Sequence, residues 1–529
     1  MESNMEGKSH QHVQAYQLGP LESFNPSDRS MEYEGTPKDR QDMTRMGKQQ
    51  LFRRNFQFVP IFGFSTILMC TWELVLTGAS YVLPNGGPAA LVWMFFVAAI
   101  GFGFVIISMA EMASMAPTAG GQYHWISEFA PPSYQKVLSY TVGWLTVLGW
   151  QSATAGASFA MGSQIQGVLT LDYSSYSPQP WHATGITIIA VTFGALFNTF
   201  LAKRLPFIEA IMLFVHIFGF FAIMIPLWVL APKTPHEEVW TRFQQTSNWP
   251  SMGVAALVGL VGPTLTLVGP DSAVHMAEEI KDASRILPRA MMCAWALNGL
   301  TGWIMSITFA YCLGPLEDAL APSYNFAYIG TFYTATGSVP GTTVMASVIL
   351  VMQFCNIVTC MAGASRQMFA FARDSGMPFS RLLENVHPTL KVPVNTIVIT
   401  WFITCLLSLI NLGSNVTFNA IGSLTSTALL SSYIFSIACI AWKRARGEPL
   451  LPSRWSLGNW GLPINLASLV FLTITFLFAC FPLSLPVVPM TMNWASVIFG
   501  GVSIFAVTFY IAHARGSYVA PVAIIRKDI

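Results

Sequence analysis

Apolar residues run along this chain in long blocks separated by short polar stretches, with neither the alternation of a half-buried strand nor the one-sided stripe of a surface helix. A bilayer core about 30 Å thick takes roughly 20 apolar residues as a helix. Twelve blocks reach that length: 58–81, 88–113, 137–168, 183–202, 206–231, 252–277, 290–313, 338–369, 393–412, 417–441, 463–485 and 493–513. The pattern predicts an all-α integral membrane protein with twelve transmembrane helices. The segment before the first block is polar, charged and Pro/Ser-containing, without the apolar core of a signal peptide. Residues 1–54 are therefore expected to be a disordered cytoplasmic N-terminal tail, 55–515 the twelve-helix domain, and 516–529 a cytoplasmic C-terminal tail.

Composition agrees. Of 529 residues 53% are apolar and 10% charged, against about a quarter charged in soluble domains. A net charge of +2 leaves no footprint for nucleic acid. With the N-terminus inside, 25 of the 27 Lys and Arg residues fall on the cytoplasmic side, and only Lys233 and Arg242 fall outside. This bias sets orientation, and an even number of spans returns the C-terminus to the cytoplasm. The eight cysteines lie singly within or beside apolar blocks, with no CxxC pair or metal spacing, so they read as small hydrophobes. No metal or cofactor is expected. One outer sequon, Asn415-Val416-Thr417, sits in a loop too short to carry weight.

Two spans are interrupted at corresponding places. The first reads Gly63-Phe-Ser-Thr-Ile-Leu-Met-Cys-Thr-Trp-Glu73, polar just past its middle, and the sixth carries two Gly-Pro steps, Gly262-Pro263 and Gly269-Pro270, before Asp271. Proline removes a backbone donor and clashes with the preceding turn. Irregular backbone at membrane depth is tolerated only where protein buries it or it lines a cavity. Broken helices five spans apart point to an inverted-repeat transporter with its site at the midplane; two kinked packing helices are the plainer reading.

The run from Gly87-Pro88-Ala89-Ala90 through Ser108-Met-Ala-Glu-Met-Ala-Ser-Met-Ala-Pro-Thr-Ala-Gly-Gly-Gln-Tyr-His-Trp125 resembles the second span and following loop of amino acid–polyamine–organocation (APC) superfamily permeases. The stretches Ala277–Pro288 and Ala364–Pro378, with Val392-Pro-Val-Asn395, resemble that family's motifs after the sixth and eighth spans. Asp271–Glu279 and Gly143-Trp144 are most similar to the fungal branch holding GABA permeases and choline transporters. The resemblance covers about residues 55–515. It implies a five-plus-five inverted repeat (the LeuT-like fold) over spans 1–10, with two further helices. In amino-acid permeases the unwound part of span one carries Gly-x-Gly, whose backbone N–H groups hold a substrate carboxylate. Counting back from Leu76-Thr77-Gly78, that slot here is Cys70-Thr71-Trp72. Trp72 needs room where a carboxylate would pack, and its face suits an ammonium group.

Glu73 either pairs with a substrate ammonium, carries a proton, or stabilises the N-terminus of the outer half-helix. His216, alone in the apolar fifth span, is either a packing residue or, by the resemblance, the coupling group where proton-linked relatives have a lysine. Its imidazole titrates across physiological pH. Glu209, two turns inward, reads as a second candidate or as a partner for Lys203 or Arg204. Trp150, Gln151, Thr264, Thr266, Asn356, Ser423 and Thr425 are candidate lining. Glu111, Glu278, Glu279 and Arg366 are inner-gate ion pairs or plain interface charges. Lys8, Lys38 and Lys48 are either ubiquitin acceptors or part of a solvated tail.

No catalytic constellation or phosphate-binding loop is present, so no enzyme is expected. The chain reads as a secondary active transporter in the plasma membrane, importing choline, GABA or another amino acid with protons, by alternating access. The alternative is a non-transporting nutrient sensor on the same fold. The expected partners are the small amine-bearing solute, protons and the lipid bilayer.

Overall fold

The computed structural model describes residues 35–320, 324, 326–412, 417–488 and 492–524; the sequon at Asn415 lies outside them. Short α1 (Pro37–Arg45) precedes the first span, which is split into α2 (Phe58–Met69) and α3 (Thr71–Thr77). Then come α4 (Gly87–Met115), short α5 (Gln122–Phe129), α6 (Pro132–Asp172), α7 (Pro180–Phe200), α8 (Leu205–Leu230) and short α9 (His236–Trp240). The next span is split three ways, into α10 (Met252–Gly259), α11 (Val261–Leu267) and α12 (Ser272–His275). It is followed by α13 (Ala283–Cys312), α14 (Leu316–Leu320), α15 (Ala327–Thr336), α16 (Val339–Arg373), α17 (Ser380–Leu383), α18 (Val394–Leu409), α19 (Thr417–Ala445), α20 (Gly461–Ala479) and α21 (Ala495–Phe509).

Among the described residues, eleven helices are long and apolar enough to cross a membrane. The stretch expected as the third span is the 41-residue helix α6. Its Ser, Thr, Gln and Tyr residues dilute its apolar content, and it is not one of the eleven. Those polar groups face inward: α6 packs on α16 and α19 and buries Ser139, Thr146, Gln151, Ser158 and Gln164. By contrast α8 turns Phe207, Phe214, Phe218 and Val229 outward, as a lipid-facing helix does. The broken helices are packed inside, α2 against α8 and α13, and α11 against α3 and α4.

Residues 35–54, expected as part of a disordered tail, are folded in the structure. Thr36 caps α1 through a reciprocal pair with Asp39. Asp39 in turn accepts from the backbone N–H of Asp282 (2.9 Å) and Ala283 (3.0 Å), capping the start of α13. Arg54 donates to the carbonyls of Ala277 and Ile280, and Phe56 forms a parallel bridge with Ile280. Lys48 is buried against Asp374 at the end of α16, so it is not a free surface lysine. Composition marks this strap as polar, but Asp39, Lys48 and Arg54 each have a partner waiting on another element. The C-terminal segment is likewise anchored: Tyr518 is fully buried and meets Ser139 and the ring of Tyr140.

Candidate functional site

The two helix breaks meet. Helix α2 stops because Cys70 adopts the left-handed conformation, φ +44°, a cost of about 1–2 kcal/mol for a residue with a side chain. Carbonyls freed at its end find side-chain donors: Asn356 Nδ2 donates to Ile67 O (3.0 Å) and Leu68 O (2.6 Å), and Asn298 Nδ2 to Thr66 O (3.3 Å). The second break runs through extended Val268 and Gly269, φ +110°. A Cβ on Gly269 would lie 2.3 Å from Leu68. Thr71 Oγ1 donates to Thr266 O at 2.8 Å and stitches the two breaks together.

Beside the breaks is a cavity of about 130 Å³. Of the expected lining residues it touches Trp150, Thr266, Asn356 and Thr425. Cys70, Thr71, Trp72, Glu73, Gln151, Thr264 and Ser423 do not line it. Gln151 is drawn away, donating to Thr400 at 3.1 Å. The lining also includes Tyr81, Gln164, Gln353 and Phe326, which the sequence reading missed; the two glutamines carry the same signal, an amide within a membrane helix, that singled out Asn356. Among the described residues, no lining side chain is charged. A second, wider cavity lies at the end away from the N-terminal strap, and Thr77 and Phe326 line both.

Trp72 and Glu73, expected at the cationic end of the site, turn instead toward α8. The left-handed turn at Cys70 directs Thr71 to the second break and the next two residues outward from the cavity. Trp72 packs by Gly219, where a Cβ would lie 3.4 Å from the indole, and its ring sits 5.8 Å from that of His216. Glu73 Oε1 lies 2.8 Å from His216 Nδ1, and both side chains are fully buried. Glu73 Oε2 and His216 Nε2 have no hydrogen-bond partner. Glu209 does not reach Lys203 or Arg204; it is buried, accepting from Thr359 Oγ1 at 3.2 Å.

The strap end is closed by ion pairs. Arg366 Nε meets Glu279 at 2.9 Å, and Arg373 grips Glu278 through both oxygens, at 2.9 and 2.6 Å, the strong bidentate form. Burial works against the Glu278 carboxylate, but Arg373, with Lys48 and Arg54, holds its carboxyl below the usual range. Glu111, expected with them, pairs with Arg444 at 2.5 Å and accepts from the Leu457 N–H, tying α4 to α19 and the segment before α20.

The family model for amino acid permeases matches residues 61–504. The chain belongs to that family, within the APC superfamily. The permease is 33% identical over 439 residues to a Macrophomina phaseolina protein named for amino acid/polyamine transport, covering 82% of this chain and 96% of that protein. It is 26% identical to a choline transporter of Saccharomyces cerevisiae, over 87% of this chain and 81% of that one. With amino-acid permease 2 of Neurospora crassa the identity is 26%, over 90% and 88%. The permease is thus a multi-pass integral membrane protein and a transporter of amino acids or amine solutes.

Proposed function

We propose that the permease is a proton-coupled secondary transporter of the plasma membrane. It imports a small amine-bearing solute, choline, GABA or another amino acid, by alternating access between two five-helix repeats of a twelve-span fold. The Lys/Arg bias supports a cytoplasmic strap end with both termini inside, so the wider cavity is an outer vestibule and the strap end a closed inner side. The solute occupies the central cavity, where Trp150 and Tyr81 offer aromatic faces to an ammonium group and the amides of Gln164, Gln353 and Asn356 offer polar contacts. Thr71 and Cys70 shape the break, and Trp72 seals it from α8.

The Glu73–His216 pair carries the reading. A carboxylate on the half-helix next to the cavity and an imidazole on α8, in contact and out of water, form a site whose proton content alters how α3 sits on α8. Uptake by the purified protein in proteoliposomes tests it. An inward proton gradient is expected to drive accumulation of labelled choline or GABA, and replacing sodium with potassium to leave uptake unchanged. His216→Ala is expected to abolish accumulation while retaining counterflow exchange. Accumulation with normal pH dependence in His216→Ala, or a strict sodium requirement, would refute it.

A further inference from the structure

A second carboxylate–histidine pair follows the second break. Asp271 and His275 are one turn apart, both fully buried, with His275 Nε2 3.5 Å from Asp271 Oδ2. His275 Nδ1 lies 2.8 Å from the carbonyl of Ala119 in the loop before α5. A carbonyl only accepts, so Nδ1 carries a hydrogen. Nε2 makes no hydrogen bond, and the Asp271 carboxylate lies 3.5 Å from it. Without a further proton, a lone pair would lie beside a carboxylate oxygen in a buried site. Asp271 already accepts from Gln122 Nε2 at 2.7 Å and from the Tyr433 hydroxyl, so both of its oxygens are engaged as acceptors. The extra proton therefore belongs on the ring.

We propose that Asp271–His275 is a second proton-binding site, an imidazolium–carboxylate latch on the inner side of the cavity, in equilibrium with cytoplasmic protons. It joins α12 to the loop before α5 through Ala119, to the start of α5 through Gln122, and to α19 through Tyr433. The edge of Trp150, which lines the cavity, rests 5.6 Å from the His275 ring. Elements packed around the pair bring no competing charge to it. Helix α2 has no ionisable residue, and Arg366 and Arg373 of α16 are engaged with Glu279 and Glu278. His124 of α5 faces Glu128, and Arg285 and Arg289 of α13 are exposed. If the proton leaves, a buried carboxylate loses the cation beside it, which strongly destabilises the packed arrangement. Closing the inner side thus binds one proton from the cytoplasm and opening releases it. This exchange is separate from the coupled proton of Glu73–His216, though it rests on the transport reading for which side is inner.

Two measurements on the full-length protein test it. In nanodiscs with ¹⁵N-labelled histidine, one ring protonated on both nitrogens at neutral pH is expected, and its signal should vanish in His275→Gln; a ring with a single proton at His275 would overturn the proposal. In a variant retaining only Cys360, which lines the cavity, labelling from the cytoplasmic face by an impermeant thiol reagent is followed, each pH being normalised to unfolded protein. Access should rise with internal pH, by up to about tenfold per unit, the limit for one proton. The slope should disappear in His275→Gln and persist in His216→Ala. A slope unchanged in His275→Gln, or lost only in His216→Ala, would overturn the latch while leaving the coupling reading to its own test.

Discussion

The first broken helix turns at Cys70, a residue with a side chain held at φ +44°, whereas the second turns over Gly269 and Pro270, where φ is +110° and no side chain fits. Each break is followed closely by a carboxylate facing a histidine, but the surroundings differ. Glu73 and His216 are left with an unpartnered atom each, as is His275, whereas both oxygens of Asp271 accept hydrogen bonds. The first pair therefore touches few groups besides itself. The second is wired into two neighbouring elements, so disturbing it disturbs their docking.

Breaking one member of the first pair should have the largest effect. Glu73→Ala leaves an imidazole beside an empty site, and removing one partner of a buried pair costs about 3–5 kcal/mol. Thermal unfolding in detergent should show that loss, and the Glu73→Leu/His216→Leu double variant should recover most of it without recovering accumulation. Equal damage in the double variant would mean that packing, not charge, decides this site. The breaks themselves come next. Gly269→Ala meets both a positive φ and the 2.3 Å contact with Leu68, a strain of about 1–3 kcal/mol. Cys70→Gly relieves strain while losing a little packing, so it should stay within about 1 kcal/mol of the parent in the same assay. The smallest effect concerns acid. Burial opposes the Asp39 carboxylate, but Arg54 and the N–H groups of Thr36, Asp282 and Ala283 hold its carboxyl below the ordinary 3.8. A lowered carboxyl stabilises docking fully at neutral pH and loses that contribution as pH falls through the lowered value. Hydrogen exchange quenched from acid should show residues 277–283, beyond the second break, losing protection before residues 58–77.

Much of the membrane architecture is legible in the sequence because a bilayer imposes a length on apolar runs, and both breaks show as polar or Gly-Pro interruptions. Side-chain direction past a break is not legible. One left-handed residue at Cys70 rotates everything after it, so Trp72 and Glu73, adjacent in sequence to the cavity, face α8. The pairing of Glu73 with His216 was within reach, since two lone ionisable groups in apolar helices need a partner. Asp271 and His275 sit four apart on the sixth span, yet His275 reads as part of a family motif until Ala119 is found against its ring. The order of residues 35–54 is hidden for a different reason: hydropathy registers charge but not the buried partners that await it more than 200 residues along the chain.

That separation has a consequence for biosynthesis. Lys48 reaches a residue 326 positions later, and Asp39 one 243 positions later. At about 5–20 residues per second, the ribosome needs tens of seconds to deliver Asp374 after Lys48 has emerged. Until residues 277–283 are made the strap has nowhere to dock, and Lys48 waits longer still for its own partner. Its burial therefore marks chains in which the eighth span has been made and inserted, and a nascent chain stalled before that point keeps a cationic lead segment open to chaperones and proteases.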